Sequence, residues 1–194
     1  MPLQKQDWVQ AGLKTLSAEG IEAVRVEVLA RDLEVSKGSF YWHFKDRSEL
    51  LRAMIEEWEK QETDWFLDEV ERGITPARRW TRLLELAVGS ARRIPDTAIF
   101  AWARRDSQVA TRVTAVEQKR ISYVARVLRD VGFTRSEADW WAETVYLAFL
   151  GLEDRVSRDL KFRKNRSALA EHLSRLILSA AALNGERAAT LSAD

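Results

Sequence analysis

Residues 26–47 read VEVLARDLEVSKGSFYWHFKDR, and the fold turns on this stretch. Val26, Leu29, Ala30 and Leu33 recur at helical spacing. Glu34-Val35-Ser36 breaks the pattern, and a second, short helix is expected over about 37–44, with Ser36 placed to cap it. Phe40 and Phe44 stand at i, i+4 and make its inner face. Lys37, Gly38, Ser39, Tyr41, Trp42 and His43 then point the other way, with Lys45 and Arg47 at the C-terminal edge. A helix, a three-residue turn and a second helix make a helix-turn-helix. Hydrogen-bonding, aromatic and cationic groups crowded onto two turns call for a polar partner. The major groove of B-DNA admits one helix and offers base edges and phosphates to it. Ser36 and the free amides of the first turn can meet a phosphate too. The plainer reading is that Tyr41, Trp42 and His43 pack against the next helix.

Outward from this stretch the chain reads as helix throughout, with no alternating segment long enough for a strand. Helices are expected over about 4–18, 26–33, 37–44, 48–70, 77–92, 97–105, 107–130, 136–159 and 167–184. Gly20 suits a left-handed cap after the first, and Ser48 is a plausible cap for the long fourth one. Gly73-Ile74-Thr75-Pro76 stops and restarts the chain, with Pro76 in a first turn, and Arg93-Ile94-Pro95-Asp96 punctuates again. Gly132 and Gly185 stand just past helix ends. The expected fold is all-α. A DNA-binding domain covers 1–47, a helical ligand-binding and dimerisation domain covers 48–185, and 186–194 is a frayed tail.

The segment VSKGSFYWHFKDRSELL, residues 35–51, resembles the recognition helix and following helix of the TetR family of repressors. FAWARRD at 100–106 and YLAFLGL at 146–152 resemble segments of the family's ligand-binding domains. The resemblance implies that Lys37, Gly38, Ser39, Tyr41 and His43 lie where bases or phosphates are touched, and that Lys45 and Arg47 hold the DNA backbone. Trp42 matches a position more often packed at the domain edge. The resemblance also implies a homodimer built on the last two long helices, a cavity for a small-molecule effector among the helices between, and repression as the usual mode. Two residues depart from the family pattern. Glu34 stands where the turn usually carries Gly, and a non-Gly residue with positive φ is strained. Arg25 stands where Ser or Thr usually caps the second helix. That cap is lost, while a guanidinium could still reach a phosphate.

In the C-terminal part, Trp65, Phe66, Trp80, Phe100 and Trp102 either line a ligand cavity or fill a core, and Arg104 either anchors an anion or is solvated. Leu169, Leu173, Leu176, Ala180 and Leu183 form a seam at steps of four and three. Trp141, Val145, Phe149, Leu152 and Val156 form a second stripe, with Trp140, Leu147 and Gly151 apolar beside it. So wide an apolar arc needs cover on more than one side, which a four-helix dimer interface gives.

Composition narrows the alternatives. A net charge of +1 means that DNA binding must come from placement and not from bulk charge. The absence of cysteine removes thiol catalysis, disulfides and Cys-ligated zinc. His43 and His172 sit in unrelated contexts, His172 on a polar flank, so no metal or cofactor site is expected. No Gly-rich phosphate loop and no outstanding carboxylate pair points to an enzyme. The rivals are a helical adaptor that binds protein, which leaves the 37–47 surface unexplained, and an enzyme using carboxylates. The N-terminal residues lack a signal-peptide run, and the most apolar stretch, 144–152, is shorter than the roughly 20 residues a bilayer needs, so a cytoplasmic protein is expected.

Overall fold

The computed structural model describes residues 3–73, 75–89, 96–159 and 162–191, with side chains except at 163–164 and 184–191. Among them there are helices and connections and no strand. Two compact units form, one from residues 1–65 and 92–116, the other from 66–91 and 117–194.

In the first unit α1 (Lys5–Glu19) opens where Asp7 accepts from the Gln4 amide at 2.6 Å. Its inner face carries Trp8, Val9, Leu13 and Leu16. Gly12 lets α4 (Arg47–Glu59) come close, since a Cβ there would lie 2.7 Å from the Met54 sulfur. Gly20 ends α1 at φ 85° with an extended ψ, a conformation open to glycine. A 3-10 turn at Ile21–Ala23 leads into α2 (Val26–Asp32) and then α3 (Lys37–Tyr41).

The turn between α2 and α3 keeps its usual geometry despite Glu34, whose φ is 56°. The Glu34 amide bonds to the Arg31 carbonyl at 3.1 Å, and the Val35 amide reaches back to that of Ala30 at 2.9 Å. These two bonds make a Schellman cap, which demands a left-handed residue at position 34. The closing bonds and the half-buried Val35 behind them hold a glutamate in a glycine's place.

Two expected caps and one expected helix change. Asp46, not Ser48, caps α4 and accepts from the Glu49 amide at 2.9 Å. Ser36 stands at the N-cap of α3 with no side-chain capping bond. The helix expected over 48–70 runs as α4, a π-helical turn at Lys60–Asp64, and α5 (Trp65–Glu71). Just before that turn, Trp58 donates its indole N–H to the buried Asp96 of α7 (Asp96–Ala103) at 2.9 Å. Arg112 of α8 (Ser107–Val131) donates to Glu59 at 2.8 Å. These links explain why compactness groups 96–116 with the N-terminal helices.

The second unit gathers Val70, Trp80, Leu83, Leu128, Ala138 and Ile177 in its core. Thr75 caps α6 (Pro76–Val88), and Thr134 with Glu137 caps α9 (Arg135–Arg158). The expected extension of α6 to 92 is cut short at Val88, and Arg93, Ile94 and Pro95 lie outside the described residues. The last helix, α10 (Arg166–Leu191), is longer than expected, so Gly185 and residues 186–191 lie inside it. No helix among the described residues is long and apolar enough to cross a membrane.

Glu71 ties three helices of this unit. It accepts from the Tyr123 hydroxyl at 2.9 Å and from Arg126, and it pairs with Arg79 at 3.5 Å. Burial alone would raise its pKa, but the Tyr123 hydrogen bond and the two guanidinium groups outweigh it and hold the carboxyl below its ordinary value. Burial, then Glu71, pushes the Tyr123 hydroxyl up.

Two outcomes follow. Glu34→Gly relieves a left-handed L-residue, a strain of roughly 1–2 kcal/mol, against roughly 0.5–1 kcal/mol of added chain entropy. It should stabilise the protein by about 0.5–1 kcal/mol, read as a Tm rise of about 1–4 °C. A fall in Tm would show that the turn does not strain this residue. Because Glu71 has a depressed pKa, its stabilisation is present above the ordinary value of 4.5 and lost as pH falls through the folded value. Glu71→Gln should cost about 0.5–1 kcal/mol at pH 7 for this partly screened carboxylate. In urea titrations the gap to the parent protein should close below pH 4.5.

Candidate nucleic-acid interface

A five-residue helix does not stand alone in water, since nucleation is unfavourable and few bonds repay it. Packing holds α3 in place. Phe40 is wholly buried and meets Trp8 edge-on at 5.3 Å between ring centroids. Phe44 stacks on Phe40 at 5.2 Å, and both belong to the core of the first unit. The Phe44 amide bonds to the Phe40 carbonyl at 3.0 Å, so helical bonding carries past Tyr41.

With that face consumed, the next two aromatics are thrown outward. Tyr41 is 62% exposed and Trp42 is 88% exposed. Tyr41 still sets its ring edge-on to Phe40 at 5.2 Å, which steadies it. Trp42 is therefore not packed at the domain edge, as its family position suggested. Lys37, Gly38 and Lys45 are exposed, and Ser39 and His43 are half-buried. A Cβ on Gly38 would meet only the Ser36 hydroxyl, at an ordinary 3.5 Å, so the fold itself gives no reason for glycine there.

Electrostatics around α3 are balanced. The Lys37 ammonium pairs with Glu27 at 2.8 Å, and this hydrogen bond is the main reason the Glu27 carboxyl sits below its ordinary pKa. Arg25 occupies the N-cap of α2, exposed and with no side-chain capping bond.

Arg47 does not join the exposed group. Its Nε donates to the Val24 carbonyl at 2.6 Å and its Nη2 to the Ile21 carbonyl at 2.9 Å. The sequence held one sign of this. A cation at the first position of a helix opposes the helix dipole and needs an acceptor elsewhere.

The residues expected around an effector fall into both units. Trp65, Phe100, Trp102 and Arg104 belong to the first, and Phe66 and Trp80 to the second. Trp102 and Trp80 are buried in their units' cores, Phe66 and Phe100 are half-buried, and Trp65 and Arg104 are exposed. Three described clefts are lined by other residues, the most cationic by Arg72, Arg78 and Arg82. Among the described residues no group of His, Asp and Glu is placed to hold a metal ion.

Of the residues expected at a subunit interface, Leu169 and Leu176 are exposed. Trp141, Phe149, Leu152, Leu173 and Ala180 are half-buried, and Val145 is consumed by the unit's own core. The surface instead presents Trp140, 75% exposed, with Leu147 on α9, and Leu183 continuing the Leu169–Leu176 row on α10. Both rows step by seven residues, so each runs along one line of its helix, as do the buried residues beside them.

Residues 9–54 match the family profile of the bacterial regulatory proteins, tetR family. No curated protein matches the chain. Solved structures do. A TetR-family transcriptional regulator from Streptomyces coelicolor superimposes with a TM-score of 0.76 at 14% identity, over 91% of this chain and 95% of that one. A transcriptional regulator from Rhodococcus sp. Rha1 gives 0.71 at 20% identity, over 92% and 98%. A protein from Saccharomonospora viridis, solved in complex with choline, gives 0.70 at 16% identity, over 89% and 92%. At these identities the likeness establishes the fold. Residues 9–54 thus carry a helix-turn-helix similar to that of the tetR family of bacterial regulatory proteins, and the chain shares the all-helical fold of the solved regulators it superimposes on.

Proposed function

We propose that this protein is a dimeric, DNA-binding transcriptional regulator whose operator affinity is changed by a small-molecule effector. The observation that carries this is the pair Tyr41 and Trp42, exposed on a helix whose opposite face is locked into the core. Large aromatics left in water on and just after so short a helix point to a partner. In a major groove Tyr41, Ser39 and Gly38 meet base edges or phosphates, and Trp42 lies against the sugar-phosphate wall. Lys37, Lys45, His43, Ser36 and Arg25 supply cations and donors around them. The functional division is a DNA-binding part over 1–47 and a regulatory part over 48–185.

The second copy docks through the rows of Trp140 with Leu147 and of Leu169, Leu176 and Leu183. Two-fold symmetry then sets paired recognition helices about 34–36 Å apart on a palindromic operator. The choline-bound relative supports a small molecule as the class of effector. Such a ligand acts only through its different affinity for the DNA-competent and DNA-incompetent states. Release of the operator on binding, and so repression, is the mode proposed. The cytoplasm is where such a regulator meets DNA.

Tyr41→Ala should lower affinity for genome-selected fragments at least tenfold, on the order of 1–3 kcal/mol, while far-UV circular dichroism stays unchanged. An intact fold with undiminished DNA binding would move the function to protein partners. Leu147→Glu with Leu176→Glu places charge in the apolar rows. Sedimentation should then show a monomer, and operator binding should fall as the half-sites lose their linkage. A double variant that stays dimeric would place the interface elsewhere.

A further inference from the structure

We infer that Arg47 is a positioning residue of the DNA-binding module, which locks the Ile21–Arg25 connector onto the start of α4 in place of neutralising a phosphate. The inference rests on the regulator reading and sharpens it. Arg47 opens α4, where the positive end of the helix dipole disfavours a guanidinium. It stays because two of its three nitrogens are engaged by backbone acceptors, Val24 O at 2.6 Å and Ile21 O at 2.9 Å. The side chain is half-buried against the fold, whereas Lys45, two residues earlier, is exposed.

The connector is also held by its own backbone bonds and by the exposed Arg105–Glu22 pair at 3.5 Å. It is a single 3-10 turn, and the N-cap of α2 carries no side-chain bond, because Arg25 stands there. Buried Val24 and Val26 anchor its end. Where the connector ends decides where α2 begins, and α2 carries α3 through the Schellman turn. A guanidinium presents its N–H groups as a rigid fork that spans two carbonyls, and an ammonium cannot reproduce it. Arg47 thus fixes the connector that leads into α2 by donating to its carbonyls, while the uncapped amides of the first turn of α2 gain no acceptor from it. Charge at position 47 is insufficient for the task, and the planar fork is required.

The test compares Arg47→Lys, Arg47→Gln and Lys45→Gln on a mixed-sequence duplex of roughly 30 base pairs, titrated over roughly 50–200 mM KCl. A lost phosphate contact lowers the slope of log affinity against log salt by about 0.9, while lost positioning weakens binding at every salt concentration with the slope kept. Both Arg47 variants should bind about tenfold more weakly with the parent slope, and Lys45→Gln should show the reduced slope. Amide hydrogen exchange over 24–29 should quicken at least tenfold in both Arg47 variants and stay unchanged in Lys45→Gln. Parent-like affinity and exchange in Arg47→Lys would overturn the inference, as would a slope in Arg47→Gln reduced by about one. If the parent protein binds no duplex, the regulator reading fails, and exchange over 24–29 still decides the role of Arg47.

Discussion

The burial of Phe40 and Phe44 against Trp8 is the constraint from which the N-terminal unit takes its form. A helix as short as α3 has too few internal hydrogen bonds to persist alone, so its position and rotation are those that seat these two rings. Once they are seated, helical geometry fixes every other side chain of α3. Tyr41 and Trp42 face solvent because their neighbours at i−1 and i+2 do not. The exposed aromatic pair is thus a consequence of core packing one bond away.

Helix α4 closes this unit from both ends. At its start Asp46 caps the helix and Arg47 reaches back to the connector. At its end Trp58 and Glu59 hold Asp96 and Arg112. The π-helical turn follows at once, in the stretch where Glu62 and Thr63 are buried. A wider helical turn re-aims the side chains beyond it, so the interior and exterior faces of Trp65–Glu71 cannot be projected from the phase of α4.

Charge contributes differently in the two units. Around α3 the cations are few and one is already paired, Lys37 with Glu27, so affinity for a polyanion must come from where donors stand. In the second unit the acids and bases knit helices together. Glu71 is met by a hydroxyl and two guanidinium groups, which outweigh the cost of its partial burial.

Much of this was legible in residues alone. The helix-turn-helix, the inner face of α3 and the outward Tyr41 follow from spacing, because a period of 3.6 ties sequence position to direction within one helix. So do the Pro76 start, the Gly20 stop and the all-α class. Relations between helices were not legible. The bonds of Arg47 were hidden because its acceptors are carbonyls 23 and 26 residues away, and carbonyls leave no mark on a sequence. Nor did spacing show that Trp80, Trp102 and Val145 are each buried within their own unit. The sequence by itself determined which residues share a face. The tertiary structure decided which faces are covered, since that depends on neighbours brought together by the whole chain's hydrophobic burial, a non-local sum that no single segment contains.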